Sequence, residues 1–548
     1  MDLTLFGLAD IVLSLKATNL ANFFAVLISF SFVMVLFMVP KYKLGKSFYA
    51  LLTLLTASLF LIVYAADYLL FFIGWEVMSI STYFLLSFTL SKRALYKYII
   101  FAMASALSLF IAILMLYSTN HSFLYVDAKE SFSAMSPMLG IIFTGLMLLA
   151  IFIKLGTIGF HYWLVDSYEE SQNLFTPFLS GVVSKMGVYA LIIFVVHVTQ
   201  PGYVLALMGV ITSIIATFKA IQEESAKRLL AYSSIAQLGY IVTVLAVADG
   251  MGGALYHSLI HTVVKLLLFI NVAGIIYVTG REKFSELGGL IYRMPQSFVL
   301  LLIGIITLAG MPPLGGFASK FMIYTSLLDA KYLLLLSAVM FSSASAFLYV
   351  YKLIYGIYLG HPTNKKLESV REVPLSFLIP QYILSLILVV IGTFPALVVP
   401  YFNRIMEELH LSSITFDNSA TLVSSYTQYN GLVVMSAFVL VFALVLLLFV
   451  SLRSKAKEAK DRFDIAYCGE VPNEATHLHY GAGMGKELKR VGFIAVILKN
   501  SSSTFYNFLA KQTLALSGMT RKIYSGNLSL NFNIAILFVI ILFWWSLK

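Results

Sequence analysis

Residues 137–166 read PMLGIIFTGLMLLAIFIKLGTIGFHYWLVD, an apolar run that carries Lys154 near its end and then breaks at Gly156 and Gly159. A second apolar run, FLSGVVSKMGVYALIIFVV (178–196), carries Lys185 near its middle. A lysine that faces lipid at the centre of a span costs about 2.5–3.5 kcal/mol on insertion scales. Charges this costly are kept where they are used, so the two lysines predict a functional charge line inside a membrane bundle.

The composition is that of a membrane protein. Hydrophobic residues make up 60% of the 548 positions, charged residues 11%, and the mean hydropathy is +0.90. The apolar stretches are continuous and not alternating, which predicts an all-α polytopic fold of about 14 spans and excludes a β-barrel. The N-terminus shows no basic n-region and no small-residue cleavage site, so we expect no cleaved signal peptide.

Cysteine count and charge exclude other classes of protein. The single cysteine, Cys468, cannot form an intrachain disulfide or hold an iron–sulfur cluster, so any linked redox chemistry is expected on a partner chain. The net charge of +11 comes from basic residues in short loops between the spans. This distribution is a topology signal and not a nucleic-acid footprint.

The loops orient the predicted bundle. The spans are placed at 21–40, 48–66, 68–90, 96–118, 137–155, 176–197, 203–222, 229–248, 253–279, 297–327, 332–357, 375–402, 429–452 and 530–547. Basic residues concentrate in alternate loops, which hold Lys41, Lys43, Lys46, Lys92, Arg93, Lys97, Lys227, Arg228, Arg281, Lys283, Lys365, Lys366 and Arg371. We call this end of the bundle the basic face. The positive-inside rule places it in the cytoplasm of a cell-membrane protein whose N-terminus lies outside.

Composition divides the chain into four parts. An N-terminal segment (1–20) precedes the transmembrane bundle (21–452), and a polar, basic stretch (453–528) leads to a C-terminal anchoring span (529–548). Within the polar stretch, which is expected to be cytoplasmic, residues 487–516 mix apolar blocks with basic residues. This mixture fits a lateral arm along the membrane surface, and a disordered linker is the alternative.

Two of the predicted spans are interrupted. The first interruption follows Lys154, and the second lies in GIITLAGMPPLGGFASKFMIY (304–324), where Pro312, Pro313, Gly315 and Gly316 precede Lys320. Lipid cannot satisfy the backbone groups that such breaks release, so both breaks should lie inside protein or line a wet cavity. Paired broken helices predict an internal inverted repeat and a transport site. A proline kink that only eases packing is the alternative.

Seven ionisable residues are predicted at membrane depth. Glu76 lies in FFIGWEVMSISTYFLL (71–86), and three residues at i, i+4 and i+8 form one stripe of a helix in YHSLIHTVVKLLLF (256–269). The full set is Glu76, Lys154, Lys185, His257, His261, Lys265 and Lys320. Groups of this kind must face one another or water, and together they meet the physical requirement for a proton relay.

Single members of this set have other interpretations. Glu76 would also serve as a simple counter-ion for one lysine. The two histidines have the spacing of a helical metal pair, but Ser258 stands where a zinc-protease motif needs glutamate and no third ligand is evident, so no metal is predicted. His161 and Asp166, at the edge of the first break, fit either proton entry or capping.

Six blocks in order resemble one family, the antiporter-like subunits of respiratory complex I, of multi-subunit Na⁺/H⁺ antiporters and of energy-converting membrane-bound hydrogenases. The blocks are GWEVMSISTYFLL (74–86), KLGTIGFHYWLVD (154–166), SGVVSKMGVYAL (180–191), AKRLLAYSSIAQLGYI (226–241), HSLIHTVVKLLLF (257–269) and GMPPLGGFASKF (310–321). The resemblance implies that Glu76 pairs with Lys154, that Lys185 and the His257–His261–Lys265 stripe form the relay, and that Lys320 lies at its exit.

The chain departs from the family pattern around the first break. Gly159 stands where the family usually has proline, and the run VDSYEESQNLFTPF (165–178) adds Glu169 and Glu170 to the usual Pro-Asp-Ala-rich stretch. These changes leave any proton entry through this loop undecided. Two N-terminal helices common in the family are absent or reduced to residues 1–20.

The resemblance implies a function in a larger assembly. We expect an ion-translocating subunit, for H⁺ and/or Na⁺, in a redox-driven membrane complex of hydrogenase or NADH dehydrogenase type. The chain itself would be a non-redox translocase subunit without a cofactor, beside iron–sulfur clusters and a Ni–Fe site or flavin on peripheral partners and other antiporter-like and small membrane subunits. FDIAYCGEVPNEATHLHYG (463–481) favours the hydrogenase type. The alternative is a multi-subunit Na⁺/H⁺ antiporter without a redox partner; a solute transporter and a purely structural subunit are further rivals.

Overall fold

A computed structural model of the chain describes residues 2–8, 11–199, 202–359, 367, 369–453, 490, 492, 494–495 and 501–523. The chain divides into two compact units, Met1–Leu488 and Lys489–Lys548. The second unit contains a helix at Ser501–Ile523. The stretch with the hydrogenase-like motif (463–481), Cys468 and the predicted last span (530–547) lie outside the described residues.

Helices dominate the described part of the chain. They are α1 Asn19–Leu36, α2 Lys46–Tyr64, α3 Tyr68–Ser87, α4 Lys92–Asn120, α5 Ala128–Ser133, α6 Pro137–Leu155, α7 Tyr162–Glu170, α8 Thr176–Phe178, α9 Lys185–His197, α10 Tyr203–Gln222, α11 Ala226–Leu245, α12 Met251–Thr279, α13 Pro295–Ala309, α14 Gly315–Asp329, α15 Leu333–Ile357, α16 Leu375–Thr393, α17 Val399–Glu408, α18 Gly431–Arg453 and α19 Ser501–Ile523. A π-helical turn, Leu179–Val183, joins α8 to α9, so that Thr176–His197 forms one span.

Twelve helices in the described residues are long and apolar enough to cross a membrane. Each corresponds to one predicted span, and the predicted span 297–327 is the interrupted pair α13 and α14. Polar side chains begin several of these helices. Ser91 accepts a hydrogen bond from the amide of Ala94, and Ser136 and Ser225 do the same three residues ahead. The all-α polytopic fold is therefore confirmed.

The spans differ in how deeply they are buried by protein. In their most apolar stretches, α11 and α12 bury 94% and 89% of residues, whereas α18 buries none. Helices that are apolar on every side and enclosed by others form the centre of a bundle. His257, His261 and Lys265 of the predicted line lie on α12, and α9 and α14, which carry Lys185 and Lys320, pack against the central helices.

The spans follow one another as two sets of five. Counting from Lys46–Tyr64, the fourth span of the first set is α6 with its continuation α7; counting from Tyr203–Gln222, the fourth span of the second set is α13 with α14. Five is an odd number, so the second set enters the membrane from the opposite side. The two broken helices therefore hold corresponding places in an inverted repeat.

Both breaks occur where the sequence predicts them. The first break separates α6 from α7, and Gly156 ends α6 with a left-handed backbone (φ +66°). The second break separates α13 from α14, and Gly310 ends α13 in the same way (φ +76°). Close packing also fixes the second break, because a Cβ on Gly316 would lie 1.8 Å from the carbonyl oxygen of Thr307.

Three regions differ from the sequence prediction. The N-terminal segment forms a β-hairpin, β1 Asp2–Leu8 paired antiparallel with β2 Ile11–Lys16. The predicted span 375–402 ends at Thr393 because Pro395 cannot continue the helix, and a short amphipathic helix, α17, follows. Before α18 lies a three-stranded antiparallel sheet of β3 Phe416–Asn418, β4 Thr421–Val423 and β5 Gln428–Asn430.

Candidate functional site: a buried line of charged side chains

The structure places six of the seven predicted residues inside the bundle. Lys154, Lys185, His257, His261, Lys265 and Lys320 are each at most 5% exposed, and Glu76 is half-buried on α3. They come from five helices, α3, α6, α9, α12 and α14, so the fold assembles residues that are up to 244 positions apart in the sequence (Glu76 to Lys320).

Lys154 is loosely held. It lies in the last turn of α6, where its Nζ is 3.5 Å from Ser79 Oγ and 5.4 Å from the centroid of the Trp75 ring. A cavity of about 10 Å³ adjoins Lys154 and Ser79. Glu76 lies one residue from Trp75, but its Oε1 has no hydrogen-bond partner and forms no ion pair with Lys154 among the described residues. The Glu76–Lys154 pair that the resemblance implies is therefore not in direct contact in this structure.

The next lysine is bound to a distortion of its own helix. Lys185 Nζ donates to the carbonyl oxygen of Ser180 at 2.7 Å, within the π-helical turn Leu179–Val183. Such turns widen a helix locally and are frequent at functional sites. Leu155 and Gly187 pack so closely that a Cβ on Gly187 would lie 2.8 Å from Leu155 Cγ. This contact brings the end of α6, with Lys154, next to the start of α9, with Lys185.

A pair of serine hydroxyls connects Lys185 with Lys265. Ser180 Oγ and Ser234 Oγ lie 3.1 Å apart, and Ser234 Oγ donates to the carbonyl oxygen of Leu230 at 2.9 Å. Lys265 Nζ donates to the same carbonyl at 3.0 Å and to Ser233 Oγ at 2.6 Å. The two lysines are therefore joined by a short chain of hydrogen-bonding groups that belongs to α11 and the π-helical turn.

The two histidines continue the line along α12. Their rings are stacked, with centroids 6.2 Å apart and planes 10° from parallel. His257 Nδ1 shares a hydrogen bond with Ser319 Oγ at 3.0 Å, whereas both ring nitrogens of His261 have no partner among the described residues. A histidine nitrogen left free inside protein can accept or release a proton. Ser319 directly precedes Lys320, so this contact leads to the second break.

Lys320 is tightly held. Its Nζ donates to the carbonyl oxygens of Ala309 at 2.7 Å and Leu308 at 3.4 Å, and to Ser343 Oγ at 2.6 Å. Leu308 and Ala309 end α13, so Lys320 reaches back across the break and satisfies carbonyls that have no partner within that helix. The Tyr240 ring lies 5.5 Å from Nζ and also faces His257, with the centroids of the two rings 6.0 Å apart.

An ion-pair network lies at the basic face beside the first break. Arg228 on α11 contacts Asp166 at 3.2 Å, Glu169 at 2.7 Å and Glu223 at 2.8 Å, and Lys97 on α4 pairs with Asp166. The Asp166 side chain therefore joins three helices rather than capping one. The added glutamates also have structural partners, since Glu170 accepts a hydrogen bond from the backbone amide of Ser91 at 2.6 Å.

Two groups near this network have shifted pKa values. Burial lowers the pKa of His161 to about 3, Lys219 acts in the same direction, and Asp166 opposes it. Burial raises the pKa of Glu169 although its hydrogen bond with Arg228 favours the ionised form. His161 is therefore neutral near pH 7, and its buried Nδ1 has no hydrogen-bond partner in the described part of the chain.

Several residues of the site were not identified from the sequence. Ser180 and Ser234 lie between Lys185 and Lys265, and Ser343 binds Lys320. Two further lysines, Lys227 and Lys352, are at most 4% exposed. Serine is common in membrane helices, so no pattern distinguishes these serines from others. Lys227 and Lys352 lie near span ends, where a lysine normally extends to the interface.

Comparisons with known proteins agree with this architecture. The model of the family described as NADH:quinone oxidoreductase/Mrp antiporter, transmembrane, matches residues 65–346. Among curated proteins, Na⁺/H⁺ antiporter subunit A1 of Staphylococcus epidermidis is 27% identical over 425 residues, 71% of this chain. The match spans only 52% of that protein's length. NADH-quinone oxidoreductase subunit N of Desulfitobacterium hafniense is 28% identical over 60% of this chain and 71% of its own length.

Solved structures share the fold. A chain in the structure of the membrane-bound sulfane sulfur reductase, an archaeal respiratory membrane complex, superposes with a TM-score of 0.88 at 26% identity, covering 99% of this chain and 91% of that one. A chain of the Mrp complex from Dietzia sp. gives 0.68 at 21% identity over 74% of this chain and 86% of that one, which shows the fold alone. With more than half of its length matched by the family model, this chain belongs to the NADH:quinone oxidoreductase/Mrp antiporter transmembrane family.

Proposed function

We propose that this chain is the ion-translocating subunit of a redox-driven, multi-subunit complex in the cell membrane. The observation that carries the proposal is the buried line itself. Four lysines and two histidines, none more than 5% exposed, lie on α6, α9, α12 and α14 and are linked in part by serine hydroxyls and carbonyls. A purely structural subunit does not need this many buried basic side chains, since each costs free energy to enclose at membrane depth. The line moves H⁺, with or without exchange for Na⁺.

The proposed energy source is electron transfer in partner subunits. A chain of a respiratory complex named as a sulfane sulfur reductase matches 99% of this chain, whereas the Mrp chain matches 74% of it. The partners would be other antiporter-like and small membrane subunits and peripheral redox subunits. Iron–sulfur clusters, with a flavin or a Ni–Fe site, would belong to those subunits and not to this chain. Both the hydrogenase type and the sulfane sulfur reductase type remain within the proposal.

A second candidate is a subunit of a Na⁺/H⁺ antiporter that has no redox partner. The observation in its favour is the 27% identity to antiporter subunit A1 over 71% of this chain. Both candidates place the basic face in the cytoplasm and the N-terminus outside, by the distribution of Lys and Arg among the loops.

The test is to isolate the complex from its native membranes through a tag on this chain. We expect co-purified subunits that contain iron, and ion movement into inverted vesicles that begins when an electron donor is added. The Lys154→Ala complex should assemble and move no ions, while Lys129→Ala, which changes a lysine outside the line, should behave as wild type. An iron-free assembly that exchanges Na⁺ for H⁺ without a donor would favour the antiporter. Full ion movement by Lys154→Ala would contradict both candidates.

A further inference from the structure

A polar cavity opens at the basic face beside the ion-pair network. Its volume is about 600 Å³, and its lining includes Glu169, Glu170, Glu282, Ser171, Asn173 and Lys227. Lys227 is the buried charged residue of this lining. Only 4% of it is exposed, and its Nζ donates to the carbonyl oxygen of Ser171 at 2.8 Å and to Asn173 Oδ1 at 3.1 Å. Three carboxylates and one buried ammonium group thus line the cavity.

A row of buried hydroxyls begins at this cavity and runs inward. Ser171 Oγ, which borders the cavity, lies 2.7 Å from Thr176 Oγ1. Ser180 follows Thr176 by four residues on the same span, one turn further into the bundle. Ser180 Oγ then contacts Ser234 Oγ at 3.1 Å. These four side chains are at most 3% exposed.

The row ends at two backbone carbonyls, each of which also binds a lysine of the charged line. The carbonyl of Ser180 accepts from Lys185 Nζ, and Ser234 Oγ donates to the Leu230 carbonyl that also accepts from Lys265 Nζ. Tyr168, on α7, adds a further hydroxyl, which is fully buried beside Ser180 and Ser184. This hydroxyl has no hydrogen-bond partner in the described part of the chain. Polar side chains therefore extend from the cavity to the middle of the line.

We propose that this cavity is the entry vestibule of the chain, and that the row Ser171–Thr176–Ser180–Ser234 passes protons, and not Na⁺, from it to Lys185 and Lys265. The inference rests on the proposed ion-translocating function. A hydroxyl is both donor and acceptor, so each member takes up one proton on one side and releases its own on the other. The last proton leaves the hydroxyl of Ser180 or Ser234 for the neutral amine of Lys185 or Lys265, which turns from its carbonyl partner to accept it, and that hydroxyl is reprotonated by the preceding member of the row. Thr176 and Ser180 are one turn apart, a step that hydroxyl rotation or one bridging water completes.

The charges of the vestibule explain the choice of ion. The carboxylates of Glu169, Glu170 and Glu282 attract cations from the aqueous phase. Lys227, bonded to the Ser171 carbonyl, then repels a sodium ion where the row begins. The hydroxyl contacts of 2.7 and 3.1 Å leave no room for an ion between the partners. A proton needs no such room because it moves by exchange along the hydrogen bonds. Glu169 and Glu170, which depart from the family pattern, therefore have a role in the vestibule, where they attract cations.

The test removes single hydroxyls from the row in the intact complex. Thr176→Val removes one hydroxyl and keeps the side-chain shape. Ser234→Ala removes the hydroxyl at the inner end of the row, on a different helix. Both should lower donor-driven proton movement into inverted vesicles by about tenfold or more. Thr176→Ser, which keeps the hydroxyl, should move protons like wild type. The matched control is Thr56→Val, because Thr56 is buried on α2 and bonds only the carbonyl of Leu52 in its own helix.

The outcomes separate this inference from the proposed function. Wild-type proton movement in both Thr176→Val and Ser234→Ala, with Lys154→Ala inactive, overturns the entry row and leaves the function intact. An active Lys154→Ala overturns the function first. Loss of movement in Thr176→Ser equal to that in Thr176→Val overturns the hydroxyl relay, since the hydroxyl is still present. Ion movement that requires Na⁺ in the solution on the side of the basic face overturns the selectivity for protons.

Discussion

The two broken helices hold lysines in opposite ways. Lys154 precedes its break, has one weak hydrogen bond at 3.5 Å, to Ser79, and forms no ion pair with Glu76 in the described part of the chain. Lys320 follows its break and is held by three oxygens, two of them within 2.7 Å and none of the three from a carboxylate. One half of the inverted repeat therefore presents a lysine that is free to change partners, and the other presents a lysine that is anchored.

The difference suggests a division of labour within the proposed translocation. A loosely held ammonium near a carboxylate responds to any change of charge nearby, because a small movement forms or breaks the pair. A lysine that satisfies the end of a helix changes position only when that helix end finds other partners, and hydrogen bonds of charged groups contribute about 1.5–3 kcal/mol each. Lys154, at the first break, would thus respond to a change of charge in a neighbouring group. Lys320, at the second break, would keep its position until a proton reaches it along the charged line.

The largest expected difference between the breaks is in how each tolerates a methyl group. Gly316→Ala should prevent assembly, because its Cβ would lie 1.8 Å from the Thr307 carbonyl oxygen. Gly159→Ala should assemble and cost about 1–2 kcal/mol, because its φ is +100° but nothing lies within 4 Å of the added atom. Yield and thermal unfolding of the purified complex measure both. Equal stability of the two variants would contradict the tight second break.

Removing the acid at the first break should reduce ion movement strongly without loss of stability. Glu76→Gln keeps the shape of the side chain, and Glu76 Oε1 has no hydrogen bond to lose. We expect donor-driven ion movement to fall about tenfold or more, with little change in the unfolding temperature. Unchanged ion movement would reduce Glu76 to a passive counter-ion.

A pair of serine variants compares the two lysine sites directly. Ser343→Ala removes a 2.6 Å contact from Lys320, and Ser79→Ala removes the 3.5 Å contact from Lys154. We expect Ser343→Ala to cost about 1–3 kcal/mol of stability in thermal unfolding, as the loss of a charged hydrogen bond does, and Ser79→Ala to cost clearly less. Both serines are buried, so burial alone does not predict a difference. A larger effect of Ser79→Ala would reverse the comparison.

The smallest effect is expected from His161, beside the first break. Its pKa of about 3 keeps it neutral, so His161→Gln should leave the pH profile of ion movement unchanged between about pH 5 and 8. Stability behaves differently, because the unfolded chain binds a proton at this histidine below about pH 6.5 and the folded chain does not. Wild type therefore loses stability as the pH falls from there, and His161→Gln should lose less in thermal unfolding. A shifted activity profile would show that His161 titrates in the working range.

The sequence predicts the spans and breaks well for a physical reason. The signals for them are local, because each determines the structure at its own position in the sequence. They are the length of the apolar runs, Gly156 with Gly159 at the first break, and Pro312 with Gly316 at the second. Contacts between distant segments have no such local signal. Nothing in the sequence indicates that Ser180 meets Ser234, that Lys320 reaches the carbonyl of Ala309, or that Glu76 and Lys154 are apart. The sequence does not predict that β1 and β2 pair, because no local signal shows that Asp2–Leu8 meets Ile11–Lys16.

The most direct test is the position of Lys154 Nζ in structures of the complex determined in its oxidised and reduced states. We predict that Nζ lies within ion-pair distance of Glu76 in one state and away from it in the other, while Lys320 keeps its contact with the Ala309 carbonyl in both. A Lys154 fixed in one place while Lys320 changes partners would contradict the mobile role of Lys154 and the anchored role of Lys320.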